Sequence, residues 1–160
     1  MNDVTGFHHV GITVRSLPDS LAFYRDLLGF EEVFSWNPRE PYIGILVGYS
    51  QVDLKATILR VPNSDTRLEL LEYGGVDGEP IDSRNGNPGT AHIALFVTNL
   101  DAIYESLSNA GIDAVSAPVT PTIGPNKGGR VVYMIDPDGV RVELIETKMS
   151  FDDFANAQGC

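Results

Sequence analysis

The feature that most constrains this chain is a weak internal repeat. His9-Val-Gly-Ile-Thr-Val14 aligns with His92-Ile-Ala-Leu-Phe-Val97, and each histidine is followed by apolar residues at the first, third and fifth places and by a leucine at the eighth (Leu17, Leu100). A second pair of blocks stands near the end of each half: Leu68-Glu-Leu-Leu-Glu72 and Val142-Glu-Leu-Ile-Glu146. Between the halves, Gly74 to Gly89 holds five Gly and two Pro in 16 residues, a linker composition. The chain therefore reads as one unit written twice, with module one at about 5–75, a linker at 76–88, module two at about 89–148 and a tail at 149–160.

Periodicity gives the elements of each copy. Phe7 to Val14 alternates as a strand. Asp19 to Leu28 places Leu21, Tyr24, Leu27 and Leu28 on a helical stripe that Gly29 ends. Ile43–Tyr49, Leu54–Val61 and Arg67–Tyr73 are expected to be three more strands. The second copy gives a strand over Thr90–Val97, then a helix over Leu100–Asn109 capped by Asn99 and stopped near Gly111. Strands at Val115–Val119, Arg130–Ile135 and Val140–Glu146 follow, with Asp136-Pro-Asp-Gly139 turning between the last two. Each half is thus βαβββ, and the chain is expected to be α+β with mostly antiparallel pairing.

Composition narrows the function. In 160 residues, 42% hydrophobic content supports a core, and no apolar run reaches the roughly 20 residues of a membrane helix. The start, MNDVTGFHH, has no basic and apolar signal pattern, and the single cysteine, Cys160, precludes an intrachain disulfide. A cytoplasmic protein is expected. The 22 acidic against 11 basic residues, net −11, oppose a phosphate-tracking surface, so neither nucleic acid nor a membrane is an expected partner.

Strand alternation then sorts the polar side chains. Val10, Ile12 and Val14 share a face suited to lie under the helix, while His9, Gly11 and Thr13 take the other. Ile93, Leu95 and Val97 divide in the same way from His92, Ala94 and Phe96. Glu69 and Glu143 stand at matching places in the last strands, whereas Glu72 and Glu146 fall on the opposite face and read as structural, as does His8. His9, Glu69, His92 and Glu143 can converge if the two sheets curl around one cavity. Two imidazoles and two carboxylates suit one divalent ion (Zn, Ni, Co, Fe or Mn), and an octahedral site would keep two positions open.

These residues resemble the vicinal oxygen chelate superfamily, which includes glyoxalase I, methylmalonyl-CoA epimerase, extradiol dioxygenases and the fosfomycin- and bleomycin-resistance proteins. The likeness runs over roughly residues 7 to 147 and is carried by HHVGITV, SLAFYRDLLGF, RLELLEY, AHIALFV and DPDGVRVELIE. It implies paired βαβββ modules forming a cupped sheet around a metal, with His9, Glu69, His92 and Glu143 as ligands, and a homodimer. Glyoxalase I carries Arg four residues after its first ligand and Asn four after its second, both used on glutathione; Thr13 and Tyr73 stand there. Methylmalonyl-CoA epimerases carry a glutamate near the place of Ala56, on a strand that has no carboxylate here. Extradiol dioxygenases use two His and one carboxylate, so Glu69 as a fourth ligand speaks against them.

The reading this supports is a metal-dependent isomerase, epimerase or lyase of a small oxygen-chelating substrate, working through an enediolate-type intermediate. Glu143 or Glu69 moves the proton, Glu143 being preferred by analogy with the family. Tyr133, Phe96, Thr13, Lys127 and Arg130 are the candidate substrate contacts, the last two from the Gly-rich segment Thr122–Arg130 that can close over an anion. The loop 37–41 between Trp36 and Tyr42 can cover the cavity mouth or stand as ordinary surface, and Arg67 and Arg141 read as pairing with rim carboxylates. The competing classes are a metal-free small-molecule or drug-binding protein of the same fold, a dioxygenase, and a resistance enzyme opening an epoxide.

Overall fold

Val10–Val14 forms strand β1, with Ile12 and Val14 buried on one face as the alternation requires. The computed structural model describes residues 3–147 and 149–158. The chain divides between Pro80 and Ile81 into two compact units.

In unit one, Ser16 caps the next helix by accepting from the Asp19 amide at 3.4 Å, and Pro18 pre-sets its first turn. This helix, α1, is α-helical over Leu17–Leu21 and continues with π-type hydrogen bonding over Ala22–Leu27. Phe23 and Tyr24 are buried on it, and the Tyr24 ring lies 5.7 Å from that of Phe30. Then come β2 (Glu31–Trp36), a short helix α2 (Tyr42–Val47), β3 (Asp53–Arg60) and β4 (Arg67–Gly74). The sheet order is β1-β4-β3-β2, with β1 parallel to β4 and the other pairs antiparallel. α1 packs on β3 and β4, where Thr57, Leu59, Leu68 and Leu70 are buried.

Unit two repeats the plan with β5 (His92–Phe96), α3 (Leu100–Asn109), β6 (Arg130–Ile135), β7 (Arg141–Glu146) and a final helix α4 (Phe151–Gln158). β5 runs parallel to β7 and β6 antiparallel to it, in the order β5-β7-β6. Asn99 caps α3 by accepting from Ala102 N at 3.2 Å. The Asp136–Gly139 turn closes as expected, Asp136 Oδ1 accepting from Asp138 N and Val140 N at 2.9 and 2.7 Å while Gly139 takes a φ of 90°. The protein is therefore α+β, with a four-stranded sheet in unit one, a three-stranded sheet in unit two and mostly antiparallel pairing.

Three expectations are corrected. Ile43–Tyr49 is not a strand: Tyr42–Val47 is helical and ends at Gly48 in the left-handed region. The strand that pairs with β3 is Glu31–Trp36, every residue of which is exposed at the sheet edge, so no burial pattern marks it in the sequence. Val115–Val119 is not a regular strand; only isolated bridges, Ala114 to Met134 and Val119 to Val131, join this segment to β6. β1 also starts at Val10 rather than Phe7. In the tail, Met149 is exposed and Phe154 half-buried, while Lys148, Cys160 and the Phe151 side chain lie outside the described residues. Among the described residues no helix is long and apolar enough to cross a membrane.

Candidate functional site

Parallel pairing is what brings each histidine to its glutamate. Gly11 of β1 stands in register with Glu69 of β4, and His9 lies two residues earlier on the same side. His9 Nε2 reaches Glu69 Oε2 at 3.0 Å. In unit two Ala94 stands in register with Glu143, and His92 Nε2 lies 3.3 Å from Glu143 Oε2. A Cβ on Gly11 would sit 3.9 Å from Glu69 Oε2, an ordinary contact, so alanine serves equally well at the matching place in unit two.

Both carboxylates are largely covered, at 15% side-chain exposure, while the imidazoles of His9 and His92 keep 34% and 48%. Neighbouring ligands about 2.1 Å from a common ion and at right angles are about 3.0 Å apart, close to both observed separations. The nitrogen and oxygen donors, their spacing and their covered carboxylates fit a divalent cation. Among the described residues no group of three or more His, Cys, Asp or Glu is assembled at metal-holding distance. What the structure brings together is each histidine with the glutamate of its own unit.

The two pairs differ in what surrounds them. Tyr133 stands directly across from Glu143, its ring 5.4 Å from that of His92. Burial first, and the Glu143 charge second, push the Tyr133 phenol up, so it stays protonated at neutral pH. The residue across from Glu69 is Ile58, which offers no hydrogen bond. Instead His8 Nδ1 meets His9 Nδ1 at 2.6 Å. Farther along β4, Tyr73 packs edge-on against Tyr49 with ring centroids 6.1 Å apart. Its phenol is raised by burial, then by the charges of Glu69 and Tyr49.

The remaining candidates are dispersed. Thr13 is exposed on the His9 side of β1, in register with Leu71. Phe96 is 68% exposed on the His92 side of β5. Lys127 is exposed in the turn that Gly128 N closes onto Pro121 O at 2.9 Å. Arg130 falls by alternation on the opposite side of β6 from Tyr133, and it pairs with Asp101 of α3 at 2.5 Å. The guanidinium groups of Arg67 and Arg141 donate to the carbonyls of Asp65 and Gly139 at 2.5 and 2.8 Å. Each closes on its own turn rather than on a rim carboxylate. In the 37–41 loop Pro38 is buried and Asn37 bonds Asp53 at 3.3 Å.

Two residues read as structural prove to share one definite task. Glu72 Oε2 accepts from the Leu17 amide at 2.8 Å, and Glu146 Oε2 from the Leu100 amide at 2.8 Å. Each closes the final strand of its unit onto the first turn of its helix, satisfying an amide that the helix itself leaves free. Lys55 also reaches Glu72 at 2.6 Å; the Leu17 bond first and Lys55 second hold the Glu72 carboxyl below the usual range. The repeated E-L-aliphatic-E block is the signal for this: its first glutamate faces the histidine, its second the helix.

Comparison with known proteins follows the same outline. A 2-epi-5-epi-valiolone epimerase from Actinomyces sp is 32% identical over 151 residues, spanning 86% of this chain and 77% of its own. The lactoylglutathione lyase of Salmonella typhimurium is 33% identical over 143 residues, spanning 88% and 91%. The crystal structure of a glyoxalase family protein from Bacillus cereus superposes with a TM-score of 0.80 at 18% identity, covering 91% of this chain and 96% of that one. The model of the Glyoxalase/Bleomycin resistance protein/Dioxygenase superfamily matches residues 6–144, and the chain belongs to that superfamily.

Proposed function

We propose that the protein is a divalent-metal-dependent isomerase, epimerase or lyase that moves a proton next to a carbonyl in a small oxygen-chelating substrate. The observation that carries this reading is the matched pair of His–Glu contacts, Nε2 to Oε2 at 3.0 and 3.3 Å, generated in both units by the same strand register. His9, Glu69, His92 and Glu143 would hold the ion, whose chemistry there is to stabilise negative charge developing on the substrate oxygens. The superfamily likeness further supports a homodimer as the working form.

The chain's own residues do the rest. A carboxylate takes the proton from carbon and returns it, and Glu143 is the residue assigned to this. Tyr133, held protonated and directly across from Glu143 in the strand pair, would keep that carboxylate oriented as its charge changes. Burial of Glu143 and Glu69 keeps bulk water from competing for the proton. Thr13 and Tyr73 stand where glutathione-using enzymes carry Arg and Asn, and an epimerase is among the relatives of similar identity, 32% against 33% for the lyase, so the substrate is read as one without glutathione.

The test is elemental analysis of the purified protein, followed by deuterium exchange from D2O into the carbon-bound hydrogen of a small α-hydroxyketone. About one transition-metal ion per pair of His–Glu contacts is expected, with exchange falling roughly 10²- to 10⁴-fold in Glu143→Gln. A metal-free protein that still exchanges, or a Glu143→Gln variant exchanging at the wild-type rate, removes the proposal.

A further inference from the structure

The first copy of the repeat carries one imidazole more than the second. His8 precedes His9, whereas Ala91 precedes His92. Strand alternation assigns His8 to the face of Val10 and Ile12, away from His9. Regular pairing begins only at Val10, so residue 8 stands outside the ladder and its ring is released from that face. His8 is exposed, its ring meets that of His9 edge-on with centroids 4.9 Å apart, and the two Nδ1 atoms lie 2.6 Å apart. His9 therefore has a neighbour on each ring nitrogen: His8 at Nδ1, and Glu69 Oε2 3.0 Å from Nε2.

Those two distances fix where the protons sit. A neutral imidazole has one N–H and one bare nitrogen. Two N–H groups, or two lone pairs, do not face each other at 2.6 Å, so one proton lies between His8 and His9. With no cation present, the acceptor oxygen of Glu69 calls for the proton of His9 on Nε2. Nδ1 of His9 is then bare, and His8 donates to it. A cation held at Nε2 calls for the reverse: Nε2 is bare, His9 carries its proton on Nδ1, and His8 accepts. A backbone carbonyl in the place of His8 would serve only the second arrangement, because it cannot donate. An imidazole serves both. Between the two, His9 releases its Nε2 proton, the shared proton passes from His8 Nδ1 to His9 Nδ1, and His8 takes a proton from water on Nε2, so the pair stays neutral.

We propose that His8 is a positioning residue of unit one, holding the proton of His9 in whichever tautomer the state of Nε2 demands and so readying that nitrogen to bind a divalent cation. This rests on the reading that His9 holds the ion, and it adds a residue outside the donor set. The second copy has no counterpart: Ala91 offers no partner, and His92 has the Tyr133 ring beside it instead.

Long-range proton–nitrogen NMR correlation of the histidine rings reports the tautomers directly. It is recorded at about pH 8, above the ordinary imidazole range, on metal-free protein and after addition of zinc. Without metal, His8 should be the Nδ1–H tautomer and His9 the Nε2–H tautomer; with zinc, both should exchange. Calorimetric zinc titration then compares variants. His8→Phe keeps a ring without nitrogens and should weaken zinc binding about tenfold or more, while His8→Asn, whose amide donates or accepts, should stay within about threefold of wild type. Circular dichroism checks that the variants fold, and the tautomer readout needs only wild-type protein. His8 keeping one tautomer with and without zinc, or His8→Phe binding zinc as tightly as wild type, overturns the proposal. Failure of the metal reading is a distinct result: wild-type protein takes up no zinc although its metal-free tautomers are those expected, and the role of His8 toward an ion is then removed with the donor set.

Discussion

Glu69 and Glu72 are three residues apart on one strand and do different work. Glu69 faces His9, and Glu72 faces the first amide of α1. Alternation alone separates them, which is why the side of the sheet each takes was legible in the sequence, and what the second touches was not. The acceptor function of Glu72 and Glu146 depends on where the helix begins, a tertiary fact. The Glu72 carboxyl is held below its usual pKa, so its contribution to stability is fully present above the unfolded value near 4.5 and is lost as pH falls through the folded value. Glu72→Ala should therefore cost about 1 kcal/mol at pH 7, the usual worth of a helix-terminal acceptor. The gap between wild type and variant in urea unfolding should narrow as pH falls below about 4. A gap constant from pH 7 to 3 would contradict the assignment.

Elements with two-sided burial were read correctly, and those at the margin were not. β3, β4, β6 and β7 alternate over well-buried cores, and α3 has a capping asparagine and an apolar stripe. β2 is an edge strand with all six residues exposed, so the alternation of Val33, Phe34 and Trp36 with polar neighbours gave no contrast. α2 fails in the other direction. Tyr42–Val47 is apolar at nearly every place, and such a short run does not distinguish strand from helix by period. Gly48 was the available clue, being the left-handed residue that ends a helix. The same segment yields a prediction of unusual sign. Alanine for glycine inside a helix normally stabilises by about 0.5–1 kcal/mol. Gly44→Ala should instead lower the melting temperature, because the new methyl meets the Tyr49 carbonyl at 2.4 Å. Differential scanning calorimetry checks it, and an unchanged or raised melting temperature would show that the α2 turn does not hold Tyr49 in place.

At the scale of the whole chain, duplication explains why the His–Glu contact within each unit was legible although 60 residues separate His9 from Glu69 and 51 separate His92 from Glu143. Each parallel strand pair, β1 with β4 and β5 with β7, joins the first and last strands of its unit, so any residue two before the register partner of a glutamate is placed beside it whatever the intervening length. Lys127 and Arg130 were not placed this way, since they sit outside the repeat and their contacts depend on a glycine-rich turn and on α3. If the two His–Glu pairs serve one ion, the bound metal contributes to the folded state of both units, and its removal is felt as a loss of stability. At a free metal concentration 100 times the dissociation constant this is about 2.7 kcal/mol, or a melting-temperature decrease of roughly 5–10 °C for a chain of this size. EDTA should produce that decrease in wild type, and His9→Ala and His92→Ala should each abolish it. Were only one histidine variant to lose its response to EDTA while the other kept the full decrease, the metal would belong to a single unit, and the shared donor set would have to be abandoned.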